Sequence, residues 1–188
     1  MGVQSTAMYM MSSKNIIERA DHAVFSDPGA ESPRTYEIME FLLDWAGLND
    51  GIPIHVTKKK NLYQDILNQK NSTGHRFASI PAFTENGGMI RRQCTHEYKI
   101  QPVIKQIREL HGLKPHKHMP LTQVWLGISM DEIQRMKESV LPRIEYYYPL
   151  IEQRMTRGDC MKIFDRFQFP TPPKSSCVFC PYHSDKNW

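Results

Sequence analysis

Short apolar segments alternate with amphipathic segments along this chain, and the alternation constrains its fold more than any other feature does. Apolar runs with the length of β-strands lie at 22–26, 52–57 and 124–128, and residues 146–151 are a further extended candidate. Apolar residues recur with helical spacing at 4–18, 34–46, 61–69, 95–111 and 156–167. Strands that alternate with helices favour a mainly parallel sheet with flanking helices, so we predict an α/β fold.

Local signals predict where several of these elements begin and end. Asp27-Pro28-Gly29 is a turn signal after the first strand, and Gly47 is a plausible end for the second helix. Thr95 has the side chain of an N-cap. Ser129 and Glu132 have the spacing of a capping box before a short helix.

Polar residues follow three of the predicted strands. In open α/β sheets, ligands bind beyond the carboxyl ends of the strands. Asp27, Lys58 and Ser129 fall at these positions, so we expect a ligand site there.

Four cysteines, Cys94, Cys160, Cys177 and Cys180, could supply a complete tetrahedral ligand set. The last two form a Cys-x-x-Cys among several prolines, which suits a rigid metal-binding knuckle. Cys160 could instead be a small buried apolar residue, and a Cys177–Cys180 disulfide is an alternative. His96 or His183 could replace Cys160 as a ligand. The N-terminus does not read as a secretory signal, so we expect a cytoplasmic protein in which thiols bind metal.

Length, charge and composition narrow the classes of protein to which this chain can belong. The chain has 188 residues, a net charge of +4 and 40% hydrophobic residues, which predicts one globular domain. The apolar runs are too short to cross a bilayer, so we expect no membrane association. The positive charge is compatible with an anionic ligand but is too small to indicate nucleic acid by itself.

The N-terminal segment could bind an anion. It reads Met1-Gly2-Val3-Gln4-Ser5-Thr6, so a glycine precedes Ser and Thr at the start of a predicted helix. A helix N-terminus offers free N–H groups and partial positive charge, and glycine lets the backbone approach a ligand. The alternative is that Ser5 or Thr6 is only a helix cap.

Three segments in order resemble a known family. The N-terminal segment resembles the PP-loop of the adenine-nucleotide alpha-hydrolase-like (HUP) superfamily. Residues 25–36 resemble its Asp-Thr-Gly segment, which is followed by a proline and Thr-Tyr. Arg92-Gln93-Cys94-Thr95, with Lys99 and Pro102, resembles its Arg-x-Cys-Thr segment. Together with the closing Cys-x-x-Cys-Pro-Tyr-His, these motifs resemble phosphoadenosine phosphosulfate (PAPS) reductase-like proteins of phage and bacterial type over nearly the whole chain.

The resemblance implies roles for particular residues. It implies a Rossmann-like nucleotide-binding domain at 1–150, with the C-terminal helix and Cys-x-x-Cys of 151–188 packed on it. The ligand would be ATP or an adenylyl sulfate, and the metal would be a 4Fe–4S cluster or zinc held by the four cysteines. The implied phosphate- and nucleotide-binding residues are Gly2, Gln4, Ser5, Thr6, Asp27, Arg91, Arg92 and Lys99.

The chain also departs from this family. It begins at Met1-Gly2 without the usual preceding strand and ends at Trp188, soon after the Cys-x-x-Cys, which leads us to expect truncation at both ends and a missing first strand. The C-terminal catalytic cysteine motif of the reductases is absent, so reduction of PAPS itself is not expected.

Three functions are compatible with the sequence. The first is a PP-loop enzyme, an ATP pyrophosphatase, sulfurtransferase or PAPS reductase-like protein, that acts in sulfur transfer or adenylylation with a sulfur-donor protein as partner. The second is a non-catalytic, metal-stapled module that binds nucleotide or nucleic acid in a modification or defence complex. The third is a fragment without activity.

Overall fold

The computed structural model describes residues 1–58, 60–71, 73–74, 80–81, 85–88, 92–180 and 182. The elements in chain order are α1 (Val3–Ser13), β1 (Ala23–Ser26), α2 (Pro33–Leu48), β2 (Ile54–Thr57), α3 (Leu62–Leu67), α4 (Gln101–Leu110), β3 (Thr122–Trp125), β4 (Ile144–Tyr147), α5 (Pro149–Glu152) and α6 (Arg157–Phe167). A π-helical turn (His96–Ile100) leads directly into α4, and a 3₁₀ helix (Met130–Arg135) follows β3. Among the helices of the described ranges, none is both long and apolar enough to cross a membrane.

The strands form two small parallel sheets. Strands β3 and β4 pair in parallel from Thr122–Ile144 to Trp125–Tyr147. Strands β1 and β2 form the second sheet. Their flanking hydrogen bonds run from the Ala23 amide to the Pro53 carbonyl and from the Asp27 amide to the Thr57 carbonyl. Both ends therefore advance together, as in parallel strands. The predicted α/β class with parallel strands and flanking helices is confirmed, but the strands of the described residues form two two-stranded sheets where the sequence predicts one mainly parallel sheet.

The residues fall into two compact units, each drawn from separate stretches of the chain. Unit 1 comprises 1–23, 33–54 and 111–175, and unit 2 comprises 24–32, 55–110 and 176–188. The division predicted after residue 150 falls inside α5. The assignment of nucleotide binding to 1–150 stays a prediction.

The core of unit 1 surrounds α1, which packs against α5 and α6. Tyr9, Met10 and Met11 of α1 are buried in this core. The phenol of Tyr9 donates a hydrogen bond to the Ile52 carbonyl at 2.8 Å. Aromatic side chains of α6 and the residues after it, Phe164 and Phe169, complete this core. Nearly every side of α1 is therefore covered, which fixes the position of its first turn.

The core of unit 2 is smaller. Ala30, Leu62 and Tyr98 are its buried centre. Cys94, Cys177 and Phe179 pack against this centre together with the partly buried Ile66 and Ile80. In the turn that follows β1, the Pro28 carbonyl accepts a hydrogen bond from the Leu62 amide at 2.8 Å. This contact joins the residues after β1 to the start of α3.

Several predicted helix boundaries differ from the observed ones. Helix α1 ends at Ser13 rather than at 18, and Gly47 lies inside α2 rather than at its end. Thr95 was predicted as an N-cap, but its backbone is already helical (φ −62°, ψ −44°) and its side chain makes no cap bond. The helical geometry begins at Cys94, so Thr95 is too far inside to cap it. The helix predicted at 156–167 is α6, and Thr156 is its N-cap: the Thr156 hydroxyl accepts from the Asp159 amide.

Two predictions in the second half of the chain are wrong in detail. Ser129 does not cap the 3₁₀ helix, because its hydroxyl bonds to the side chains of Gln4 and Asp131 instead. The extended segment predicted at 146–151 is a strand only to Tyr147, because Pro149 then begins α5. Proline is favourable in the first turn of a helix, since its missing N–H has no partner there.

Candidate functional site

The first turn of α1 presents backbone N–H groups without acceptors. Gly2 is the N-cap in an extended conformation, and its carbonyl accepts from the Thr6 amide at 3.0 Å. Within the described ranges, the structure gives no acceptor to the amides of Val3, Gln4 or Ser5, as expected for a first helical turn. Such a turn carries partial positive charge. Ser5 is the exposed residue of the turn, and its hydroxyl bonds to Gly2.

Gly127, two residues after the end of β3, packs against the first turn of α1. A Cβ atom added to Gly127 would lie 2.7 Å from the amide nitrogen of Ser5 and 2.8 Å from its Cα. Real Cβ atoms are almost never so close to backbone, so only glycine allows this approach. The first turn of α1 thus lies at the carboxyl end of a parallel strand, where α/β folds bind ligands.

Gln4 connects this turn to two other segments of unit 1. Its side-chain amide donates to Ser129 Oγ at 3.4 Å and to Glu132 Oε2 at 3.3 Å. Its carbonyl oxygen accepts from Arg157 Nη1 at 3.1 Å. Because these bonds occupy both donors and the oxygen, the side chain of Gln4 orients the turn rather than reaching outward. Glu132 also pairs with Arg135 at 2.7 Å, which balances its charge.

Gly2 and Thr6 are two further predicted phosphate-binding residues, and that role stays a prediction. Gly2 is not required sterically, because its missing Cβ would lie 3.6 Å from the Ser175 Cβ, an ordinary contact. Thr6 is 2% exposed, and its hydroxyl has no partner among the described residues. The N-terminal amine of Met1 donates to Ser175 Oγ at 3.1 Å, which ties the start of the chain to residues far along it.

In unit 2, Asp27 holds a turn at the end of β1. One carboxylate oxygen accepts from the Gly29 amide at 2.6 Å, and the other lies 3.1 Å from Lys58 Nζ. Gly29 has φ +70°, and an added Cβ would lie 2.8 Å from Asn61 Cγ, so this position needs glycine. Asp27 and Lys58 therefore follow the two neighbouring strands directly, as the sequence predicts, and they form an ion pair with each other.

The π-helical turn places Lys99 beside a buried carboxylate. Lys99 Nζ lies 2.8 Å from Glu31 Oε1, and the exposed fractions of the two side chains are 35% and 1%. The preceding residue, Tyr98, donates from its phenol to Asp65 Oδ2 at 2.5 Å. Burial, and then this hydrogen bond, raise the pKa of Tyr98 above its usual range. Lys99 therefore forms an ion pair with Glu31, and its assignment to a phosphate group stays a prediction.

The remaining predicted basic residues are only partly described. The guanidinium of Arg92 lies over the ring of Tyr182, 5.3 Å from its centre. Arg91 and His183 lie outside the described residues. His96 Nε2 lies 3.1 Å from Gln101 Nε2 on the same helical segment.

The structure places three of the four cysteines in unit 2. Cys94 and Cys177 pack against the same core, and the Cys180 amide donates to the Cys177 carbonyl at 3.0 Å. Burial raises the pKa of Cys177 to about 11; the charge on Lys99 opposes this shift, whereas Glu31 and the two neighbouring thiols add to it. The electrostatic surroundings of Cys177 thus include the other two thiols of unit 2.

Cys160 has a different environment. It is completely buried on α6 in the core of unit 1, beside residues such as Phe164. Burial, with a further contribution from Asp159, raises its pKa to about 11. No disulfide joins any of the four cysteines in this structure. In the part of the chain that the structure describes, no three Cys, His, Asp or Glu residues converge as a metal-binding group.

Sequence reasoning missed several residues that shape these sites. Gly127 had a usable signal, since a glycine at the end of a strand often marks a close backbone approach. Arg157 had none, because its partner Gln4 is 153 residues away in sequence. Glu31 likewise carries no local sign that a lysine 68 residues later pairs with it.

No family model matches the chain, and no curated protein matches its sequence at a significant level. The structure is similar to the crystal structure of phosphoadenylyl-sulfate (PAPS) reductase from Candida auris in a phosphate complex. The TM-score is 0.57 at 14% sequence identity, over 91% of this chain and 71% of that one. The chain therefore has a PAPS reductase-like α/β fold, as the resemblance of its motifs implies.

Proposed function

We propose that this chain binds an adenine nucleotide, ATP or an adenylyl sulfate, with a phosphate or sulfate group at the first turn of α1. One observation carries the proposal: the first turn of α1 has backbone amides without acceptors among the described residues, and its residue Ser5 is exposed. This turn packs against Gly127, just beyond the end of β3. Free amides and the partial positive charge of a helix N-terminus favour anions. The position beyond a parallel strand is the usual ligand position in this class of fold.

The similar solved structure supports the choice of ligand. That protein is a PAPS reductase, and it was crystallised as a phosphate complex. We therefore propose a PAPS reductase-like function in sulfur transfer or adenylylation. In such a reaction the amides of the α1 turn would stabilise negative charge that develops on a leaving pyrophosphate or sulfate group.

Calorimetric titration with ATP, adenosine 5′-phosphosulfate and inorganic phosphate tests the binding site. Ser5→Asp adds a carboxylate to the exposed turn, which should weaken ATP binding at least about tenfold through charge repulsion. The same substitution should leave the fold intact, because an acidic residue in a first turn stabilises a helix by about 0.3–1 kcal/mol.

Asn15→Asp is the matched control. It adds the same charge just beyond the other end of α1, at an exposed residue with φ +53°, a conformation that Asn and Asp both tolerate. ATP binding should be unchanged in this variant. Equal affinities for the wild type and Ser5→Asp would show that the turn is not the anion site.

A second candidate is a binding module without turnover, which would hold nucleotide or nucleic acid inside a larger complex. It is favoured by the pairing of the predicted polar residues: Asp27 with Lys58, Lys99 with Glu31, and Gln4 with Arg157. Side chains held in pairs are poor general bases. A pyrophosphate-release assay separates the candidates, since ATP binding without release indicates the module.

We propose a metal centre on Cys94, Cys177 and Cys180, which do not converge as a ligand set in the described part of this structure, so a metal would have to draw the three thiols together. Thiolates suit zinc or an iron–sulfur cluster. Cys177 and Cys180 belong to one turn, and Cys94 packs against the same unit 2 core as Cys177 does. Cys160 does not fit this set, because its side chain is enclosed by the core of unit 1. A bound metal would hold the C-terminal turn on unit 2. Metal analysis and an absorbance spectrum of anaerobically purified protein test this, with Cys94→Ala expected to lower the metal content and Cys160→Ala to leave it unchanged.

A further inference from the structure

Cys177 and Cys180 are the first and last residues of a tight turn. The Cys180 amide donates to the Cys177 carbonyl at 3.0 Å, which is the hydrogen bond of a four-residue turn. Such turns bring their end Cα atoms to within about 7 Å. Disulfides join Cα atoms that lie about 4.4–6.8 Å apart. The two thiols can therefore be linked without a large movement of the backbone.

Contacts on both sides of the turn hold it in place. The Val178 amide donates to the Ala30 carbonyl at 2.9 Å, and Cys177 forms an antiparallel bridge with Glu31. The ring of Phe179 lies 6.2 Å from the ring of Tyr63 and packs on the unit 2 core. A turn anchored in this way keeps its two cysteines adjacent. Both are half-buried, so a small reagent can reach them.

We propose that Cys177 and Cys180 form a reversible dithiol–disulfide couple. This activity is independent of nucleotide binding, because it uses only the C-terminal turn of unit 2. Cys94 lies outside the turn and Cys160 in the core of unit 1, so neither belongs to the couple.

The reaction is an exchange with a small disulfide such as oxidised glutathione. One cysteine thiolate of the turn attacks a sulfur of oxidised glutathione, which forms a mixed disulfide and releases one glutathione thiolate. The second cysteine attacks the protein sulfur of the mixed disulfide and releases the other. The two cysteine protons pass to the two glutathione thiolates. The turn loses two electrons, and one oxidised glutathione becomes two reduced molecules.

The couple would also control the proposed metal centre. Thiolates, not disulfides, bind zinc or iron. Oxidation of the turn would remove two ligands in one step, whereas a bound metal would protect both thiols.

Equilibration of the full chain in glutathione buffers of increasing oxidised fraction tests the couple. After the buffers, free thiols are alkylated under denaturing conditions and the peptides are mapped by mass spectrometry. The expected result is a single Cys177–Cys180 disulfide, reversed by reduced glutathione, with Cys94 and Cys160 alkylated throughout. Cys177→Ser and Cys180→Ser should each abolish it, and Cys160→Ala should not change the midpoint.

Three results would overturn the proposal. One is that all four thiols remain alkylatable in fully oxidised glutathione. Another is that the disulfide contains Cys94. The third is that tightly bound metal keeps the turn reduced in every buffer. ATP titration of the oxidised and reduced chain separates this test from that of the nucleotide site, since the α1 turn holds none of these cysteines.

Discussion

Gly127 lies against the backbone of Ser5 so closely that even a methyl group would come within 2.8 Å of the Ser5 Cα. The two residues belong to different segments of unit 1, and their contact fixes the first turn of α1 at the end of β3. The start of α1 is therefore positioned by backbone packing rather than by a side-chain cap. Changes at Gly127 should affect ligand binding through this contact.

Gly127→Ala should shift the first turn of α1, because the added Cβ meets backbone atoms that cannot rotate away. Overpacking of this kind costs about 1–3 kcal/mol. We expect that loss in urea denaturation, together with weaker ATP binding by calorimetry. Gly47→Ala is the control: its added Cβ meets nothing within 4 Å in α2. It should stabilise the chain by about 0.5–1 kcal/mol and leave binding unchanged. Normal stability in Gly127→Ala would contradict the packing argument.

The ion pair between Lys99 and Glu31 should contribute more than the surface pairs do. Lys99→Met leaves the carboxylate of Glu31 buried without its charged partner, which costs about 1–3 kcal/mol. The exposed pair of Lys105 and Glu109 is the comparison, and Lys105→Met should change stability by less than about 0.5 kcal/mol.

A double-mutant cycle checks this assignment. If the loss in Lys99→Met comes from the buried charge, adding Glu31→Gln should recover part of it, because the neutral amide needs no cation. Additive losses in the urea denaturation of the double variant would instead mean that Lys99 acts through other contacts.

The stability conferred by Cys160 should fall as the pH rises from 9 to 11. Burial raises the pKa of this thiol from its ordinary 9.0 to about 11 in the folded chain. Above the unfolded pKa, the unfolded chain loses the thiol proton while the folded chain keeps it, so the folded state loses free energy relative to the unfolded state. The loss is complete once the pH passes the folded pKa.

Comparison with Cys160→Ala isolates this titration from the others. The stability advantage of the wild type over Cys160→Ala should be constant below pH 9 and should shrink between pH 9 and pH 11 in chemical denaturation. A constant difference across this range would mean that the thiol is not held protonated. The buried thiol should also be the slowest of the four to react with an aromatic disulfide reagent in the native state.

The sequence predicts those parts of the fold that depend on neighbours in the chain. The helix at 156–167, the helix after Pro33 and the turn at Asp27 all follow from residues within a few positions of each other. The π-helical turn escaped prediction, because one extra residue in a helical turn leaves the apolar spacing of 95–111 nearly unchanged. Element positions are thus more predictable than their local geometry.

At the candidate sites, the sequence does not predict contacts between residues that are far apart in the chain. Four cysteines in motif-like settings suggest one centre, yet spacing carries no information on which side chains face the same core. Cys160 lies four residues before Phe164 on the buried face of α6 and packs in the core of unit 1, whereas Cys94 and Cys177 pack against the core of unit 2. The contact of Gly127 with Ser5 was not predicted for the same reason, because the two residues are far apart in the chain.

The capping box at the start of α6 should influence the α1 turn as well as the stability of α6. The Thr156 hydroxyl accepts from the Asp159 amide at 3.2 Å, and the Asp159 carboxylate accepts from the Thr156 amide at 3.0 Å. The next residue, Arg157, donates to Gln4 in the α1 turn. Thr156→Ala should therefore cost about 0.5–2 kcal/mol in urea denaturation and also weaken ATP binding, because Arg157 loses its fixed position. Thr156→Ser keeps a capping hydroxyl and should retain both properties. Lost stability with unchanged ATP affinity would show that the start of α6 does not support the nucleotide site.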